Sequence, residues 1–231
     1  MDAKALLESL LQTSKEAAKK GSTLAEEKMG VPDSGPERDA ALSNMKKGAL
    51  AAGAVALLLG TKGGRKLTGT AVTVGGLAAV GGLAYKTYND WQAKQSGGAG
   101  THTGTPVGEL DEPAANERSL LLVRAMISAA RADGHIDAAE RASILEKITR
   151  LGVDQETTDF LIAEIDRPLD PQLLASDVMS QEEAAEVYVI SAMVVDSTQR
   201  EERRYLDRLA GALKLPTDLT DQLDAGLKVP G

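Results

Sequence analysis

The sequence predicts an all-α protein. Three observations carry that expectation. Apolar residues are 42% of the 231-residue chain but aromatics only 3%, with Phe160 and Trp91 each the sole example of its type. A core must therefore be built from Leu, Ile, Val, Ala and Met, which suit closely packed helices better than sheets. From residue 113 onward the apolar residues recur every three to four positions, the helical period. Finally, helix-start signals punctuate that region at regular intervals.

Taken in order, residues 1–29 hold a short amphipathic helix, with Leu6, Leu7, Leu10 and Leu11 on one side. Such a helix is marginal alone in water, so it is expected to lie on a surface or dock on a partner. Asp2, Glu8 and Glu16 stand among its lysines and no apolar stretch follows, so no signal peptide is expected. Residues 30–42 form a linker containing two prolines.

Residues 43–94 are glycine- and alanine-rich. Gly48 to Gly60 is free of charge, T-K-G-G-R-K interrupts, and Leu67 to Tyr85 is again free of charge. The second run has the length of a membrane span, roughly 28 Å as a helix. Tyr85, Tyr88, Trp91 and Lys86 gather at its end as interfacial anchors do. Gly69, Gly75, Gly76, Gly81 and Gly82 lower its hydrophobicity and helix propensity, while in lipid small residues let helices approach closely. The expectation is a membrane-associated helical segment, with Leu67–Tyr85 the span candidate; the same composition also fits a buried Gly/Ala helix of a soluble protein. Both orientations of the tail stay open. Residues 95–112 read as a flexible linker.

The region 113–231 is expected to fold as six or seven helices. Leu120, Val123, Ile127 and Ala130 mark one face, and Ile144, Ile148 and Leu151 a second. Phe160, Leu161 and Ile165 mark a short third helix. Val187, Tyr188, Ile190, Met193, Val194 and Val195 surround a fourth, the expected central buried helix. Tyr205, Leu206, Leu209 and Leu213 stripe the next, and Leu219, Leu223 and Leu227 the last. Ser180 with Glu183 and Thr198 with Glu201 have capping-box spacing, Asp170-Pro171 places an N-cap before a first-turn proline, and Pro216 stops the penultimate helix.

Charge divides the chain. Residues 113–231 carry 22 acidic and 13 basic side chains, whereas residues 40–95 carry seven basic residues against Asp90 alone. An acidic tail is a poor match for a phosphate backbone, so no nucleic-acid partner is expected. There is no cysteine, and His102 and His135 are the only histidines. Without a Cys nucleophile or a Ser-His-Asp set, and without phosphate-loop spacing in T-K-G-G-R-K, no enzyme activity is expected.

The chemistry concentrates at Asp133-Gly134-His135-Ile136-Asp137 followed by Glu140, and at Asp196 followed by Glu201 and Glu202. Converging carboxylates bind hard divalent cations. The first turn resembles half of an EF-hand loop, but Ala129 and Arg131 stand where that loop requires oxygen ligands. Capping explains the same spacing: Asp133-Gly134 ends one helix and Asp137 with Glu140 boxes the next. Capping and ion binding are compatible, and both readings stand.

The pattern A-x-A-D-G-x-I-x-x-x-E across the first turn resembles the signature of the TerB-like superfamily, helical domains named for a tellurite-resistance protein. The Asp196 turn resembles its partner turn. The resemblance implies a six- to seven-helix bundle over residues 113–231. The whole layout is similar to bacterial inner-membrane proteins of the YebE type, which also set a Gly/Ala-rich segment before such a tail. Carried over, it implies metal ligands among Asp133, Asp137, Glu140, Asp196, Glu201 and Glu202, with Ca²⁺ or Mn²⁺ as the cation and Arg200 and Arg203 near enough to neutralise part of the site. It implies, too, a membrane-tethered, non-enzymatic module that docks protein partners, with a link to stress. The alternative is a structural membrane protein that forms homo-oligomers through its glycine-rich segment and has no metal function.

Overall fold

A computed structural model describes residues 2–11, 76–96, 104–132, 142, 154–195 and 199–228. Among these residues there are eight helices and no strand, as the periodicity predicts. We number them α1 (3–11), α2 (Gly76–Ser96), α3 (Ala114–Ala130), α4 (Gln155–Asp166), α5 (Pro171–Ala175), α6 (Gln181–Val194), α7 (Arg200–Ala212) and α8 (Thr217–Lys228), with a 3-10 turn at Val107–Glu109 before α3. The second expected face, at Ile144, Ile148 and Leu151, lies outside the described residues.

Helix α6 is the centre. Eleven of its residues are buried, among them Ala184, Ala185, Val187, Tyr188, Val189 and Ile190 in succession. A helix apolar on all sides must be covered on all sides. Helices α3 and α2 pack most extensively against it, followed by α8 and α7. The predicted stripes bury as expected: Leu219, Leu223 and Leu227 on α8, and Tyr205, Leu206 and Leu209 on α7.

The caps follow the sequence in most places. Asp154 accepts from the Thr157 N–H at 2.8 Å, Asp170 from Gln172, and Ser180 from Glu183 at 3.1 Å. Glu183 returns its carboxylate to the Met179 N–H at 2.6 Å, one residue before the usual capping-box partner. Thr198, expected to open a capping box, lies outside the described residues; α7 starts from Gln199, whose side chain makes no capping bond. Helix α7 ends before Pro216 as expected, but through Lys214, which adopts φ 56° while the Leu215 N–H reaches back to the Ala210 carbonyl.

The N-terminal helix is docked. Asp2 caps it by accepting from Ala5 at 2.9 Å, the Ala3 N–H donates to Asn116 Oδ1 of α3 at 2.6 Å, and Leu6, Leu7, Leu10 and Leu11 all join the main core.

Helix α2 is the principal correction. The span expectation placed Leu67–Tyr85 in a membrane, yet its second half opens a helix of the bundle. Leu77, Val80, Ala84 and Tyr88 are buried on one face, and Lys86 and Asp90 pair on the exposed side at 2.7 Å. Tyr88 and Trp91, expected as interfacial anchors, stack at 6.1 Å, and the Trp91 indole donates to Asp218 of α8 at 2.6 Å. Among the described residues no helix is long and apolar enough to cross a membrane. Of the stretch read as linker, residues 97–103 lie outside the described residues, and Val107 is fully buried in the turn that rests on α2, α3 and α6.

A buried charge network fixes that turn. Glu186 of α6 accepts the Val107 N–H at 2.8 Å and Arg118 Nη1 at 2.6 Å, while Arg118 also pairs with Glu183. Gly81 makes room for it. A Cβ there would lie 3.1 Å from Val107 Cγ1 and 3.2 Å from both Glu186 Oε1 and the Val107 nitrogen. A second network links three helices, with Tyr188 donating to Asp224 at 3.0 Å and Arg203 to the same carboxylate at 2.8 Å.

Three outcomes are expected. Gly81→Val, which drives a branched side chain into the Val107 backbone, lowers stability by about 1–3 kcal/mol in chemical denaturation. Lys214→Gly removes the left-handed penalty of a side chain at φ 56° and raises stability by about 1 kcal/mol. Burial pushes the Glu186 carboxyl up, against the pull of the Val107 N–H and Arg118. Folding then favours its protonated form, so its contribution is complete below the ordinary carboxylate value of about 4.3 and lost as pH rises through the raised one. Stability measured against pH should show Glu186→Gln gaining on wild type as pH rises through that window, while Glu186→Ala costs about 3 kcal/mol by stranding its partners.

Candidate functional site

A cavity of about 900 Å³ opens where the C-terminal ends of α3 and α4 meet the first two turns of α7. Arg131 and Ala132 line it from the end of α3. Asp166, Arg167, Pro168 and Leu169 form the wall leading out of α4. Glu201, Arg204, Asp207 and Arg208 come from α7.

Arg131 is built into this wall. Its Nη1 donates to the carbonyl of Arg167 at 2.6 Å, with a longer 3.5 Å contact to that of Glu164. A guanidinium at the carbonyl end of α4 meets the negative end of the helix dipole. Its Nε is buried without a hydrogen-bond partner. Burial pushes the Arg131 pKa down, and Asp166 nearby pulls it back up.

Other charges are committed elsewhere. Glu164 holds Arg124 at 3.0 Å and Arg167 at 3.4 Å, and Arg124 also covers the Phe160 ring at 5.7 Å. Asp207 pairs with Arg203 at 3.0 Å. Arg203, expected to neutralise part of an ion site, is instead shared between Asp207 and Asp224, and the latter's carboxylate holds its pKa up. Tyr205, fully buried beneath α7, has its ionisation pushed far up by burial.

Of the six carboxylates singled out in the sequence, two are described. Glu201 is exposed and lines the cavity, whereas Glu202, its neighbour on the helix, is 3% exposed and already has an interaction partner. The helix register therefore places Glu201, not Glu202, at the cavity. Asp133, Asp137, Glu140 and Asp196 lie outside the described residues, as do His102 and His135. The chain leaves α3 toward Asp133 from Ala132, at the cavity edge. Glu201, five residues after Asp196 in sequence, lines the same cavity. Among the described residues, no three carboxylates or histidines converge as a metal site.

Sequence reasoning missed Arg204 and Arg208. Their signal was available: with Glu201 they stand at i, i+3 and i+7, one helical face.

Residues 44–227 match the family described as "Protein of unknown function (DUF533)". The chain belongs to that family. The family lies in the TerB-like superfamily, which is the coarser part of the resemblance drawn from the turn motif. The match begins ahead of α2 and ends within α8. A curated relative, "Uncharacterized protein in ampR 5'region" of Yersinia enterocolitica, is 38% identical over 113 residues, covering 49% of this chain and 81% of that protein. No solved structure matches the chain.

Proposed function

We propose that this chain is a non-enzymatic, TerB-like binding module of the YebE type. It takes up a divalent cation through the carboxylates of its two turns and presents the loaded bundle to a protein partner. One observation carries the reading: Ala132, from which the chain departs toward Asp133, and Glu201, which follows Asp196, line a single cavity. Oxygen donors from both turns would then converge at one edge, as hard cations require. The ligand set in this reading is Asp133, Asp137, Glu140, Asp196 and Glu201; Glu202, buried and engaged, is left out.

Membrane attachment belongs to the same proposal, but to a shorter segment. Since α2 is a bundle helix, the tether falls to the apolar residues ahead of Gly76, including Gly48–Gly60. Lys46, Lys47, Lys62, Arg65 and Lys66 flank those runs, and such side chains favour the anionic cytoplasmic leaflet of a bacterial inner membrane. Self-assembly through the glycine-rich segment has less to draw on, because Gly81 already serves the contact with Val107.

Thermal melting of the full chain with and without Ca²⁺ or Mn²⁺ tests the cation site. At a hundredfold excess over Kd, binding adds about 2.7 kcal/mol, which moves Tm upward by several degrees. Asp133→Ala combined with Asp196→Ala should abolish the shift, and Glu202→Gln should keep it. A shift that survives the double substitution, or no shift in the wild-type chain, rejects the site.

A further inference from the structure

We propose that the cavity holds a phosphoryl group through Arg204 and Arg208, a role separate from cation binding at the turns. Most charges around the cavity are already balanced. Asp207 is paired with Arg203, Arg167 with Glu164, and Arg131 is spent on the carbonyls at the end of α4 beside Asp166. What remains is a row on one face of α7: Glu201, Arg204 and Arg208, all exposed, none with an ion pair or hydrogen bond among the described residues. Among the described lining residues, two uncommitted guanidiniums one helical turn apart stand with a single uncommitted carboxylate, Glu201.

The geometry selects the kind of anion. Residues four apart on a helix stand about 5–6 Å apart at Cβ. A planar carboxylate is served by one guanidinium fork, whereas a tetrahedral phosphoryl group offers oxygens in several directions and bridges two. Pro168, Leu169 and Ala132 supply an apolar wall for the remainder of a ligand, and about 900 Å³ is the size of a small-molecule site.

The phosphoryl group could belong to a free small molecule or to a phospholipid headgroup, and the test separates them. The full chain is titrated with inorganic pyrophosphate by calorimetry in EDTA, so that a failed cation site does not affect the result. In parallel it is titrated with glycerophosphoglycerol, the deacylated headgroup of phosphatidylglycerol, and with glycerophosphocholine, so that the proposed tether does not affect the result. Arg204→Gln with Arg208→Gln is compared with Arg200→Gln, an exposed arginine of the same helix outside the cavity, after circular dichroism shows that each variant retains its helices. Pyrophosphate binding weakened at least tenfold only in the double variant supports the site with a free phosphate. Loss of glycerophosphoglycerol binding only in the double variant supports it with a headgroup. The proposal is overturned if the wild-type chain binds neither probe, or if the double variant and Arg200→Gln behave alike in both arms.

Discussion

The burial of α6 organises the rest of the molecule. A helix with eleven buried residues offers no side to water, so neighbours must surround it. Helices α2, α3, α7 and α8 do so, and each carries an apolar stripe on the face turned inward. Glu186 gives this arrangement its register. As a carboxylate inside an apolar shell it needs partners, and it finds them in Arg118 of α3 and the backbone of Val107. One buried acid thus ties α3, the 3-10 turn and, through the space left by Gly81, α2 to the central helix.

Much of this was legible beforehand, and the places where it was not are instructive. The leucine stripe of α8 and the all-round apolarity of α6 were read directly, because the helical period is a strong signal over twelve residues or more. Helix α2 departs from the span expectation for a physical reason: small residues permit close approach in lipid and in a protein core alike, so glycine content does not distinguish the two. The deciding pattern was nonetheless present. Leu77, Val80, Ala84, Tyr88 and Trp91 recur at three- and four-residue steps, and Lys86 and Asp90 occupy the opposite side. A spanning helix has no need of a polar face. The bond from Trp91 to Asp218, 127 residues away, had no local signature.

The candidate site divides in the same way. The two acidic turns were visible as motifs, but choosing between Glu201 and Glu202 required the helix register, since adjacent residues point about 100° apart. The fate of Arg203 could not be read from its neighbours in sequence, because Asp224 reaches it from another helix. What the fold adds is a shared location. The flank of each turn lines one cavity, and the uncommitted arginines face the same space. Cation and anion chemistry would then lie side by side, on an end of the bundle distant in sequence from the apolar segments ahead of α2.

The central claim is that α2 is a structural member of the bundle, locked onto α6 through Val107 and Glu186. Native-state amide hydrogen exchange on the full chain tests it most directly. The account predicts that amides from Val80 to Trp91 open together with those of α6, at the free energy of global unfolding. Exchange of that stretch at rates far above those of α6, with α6 still protected, would contradict it.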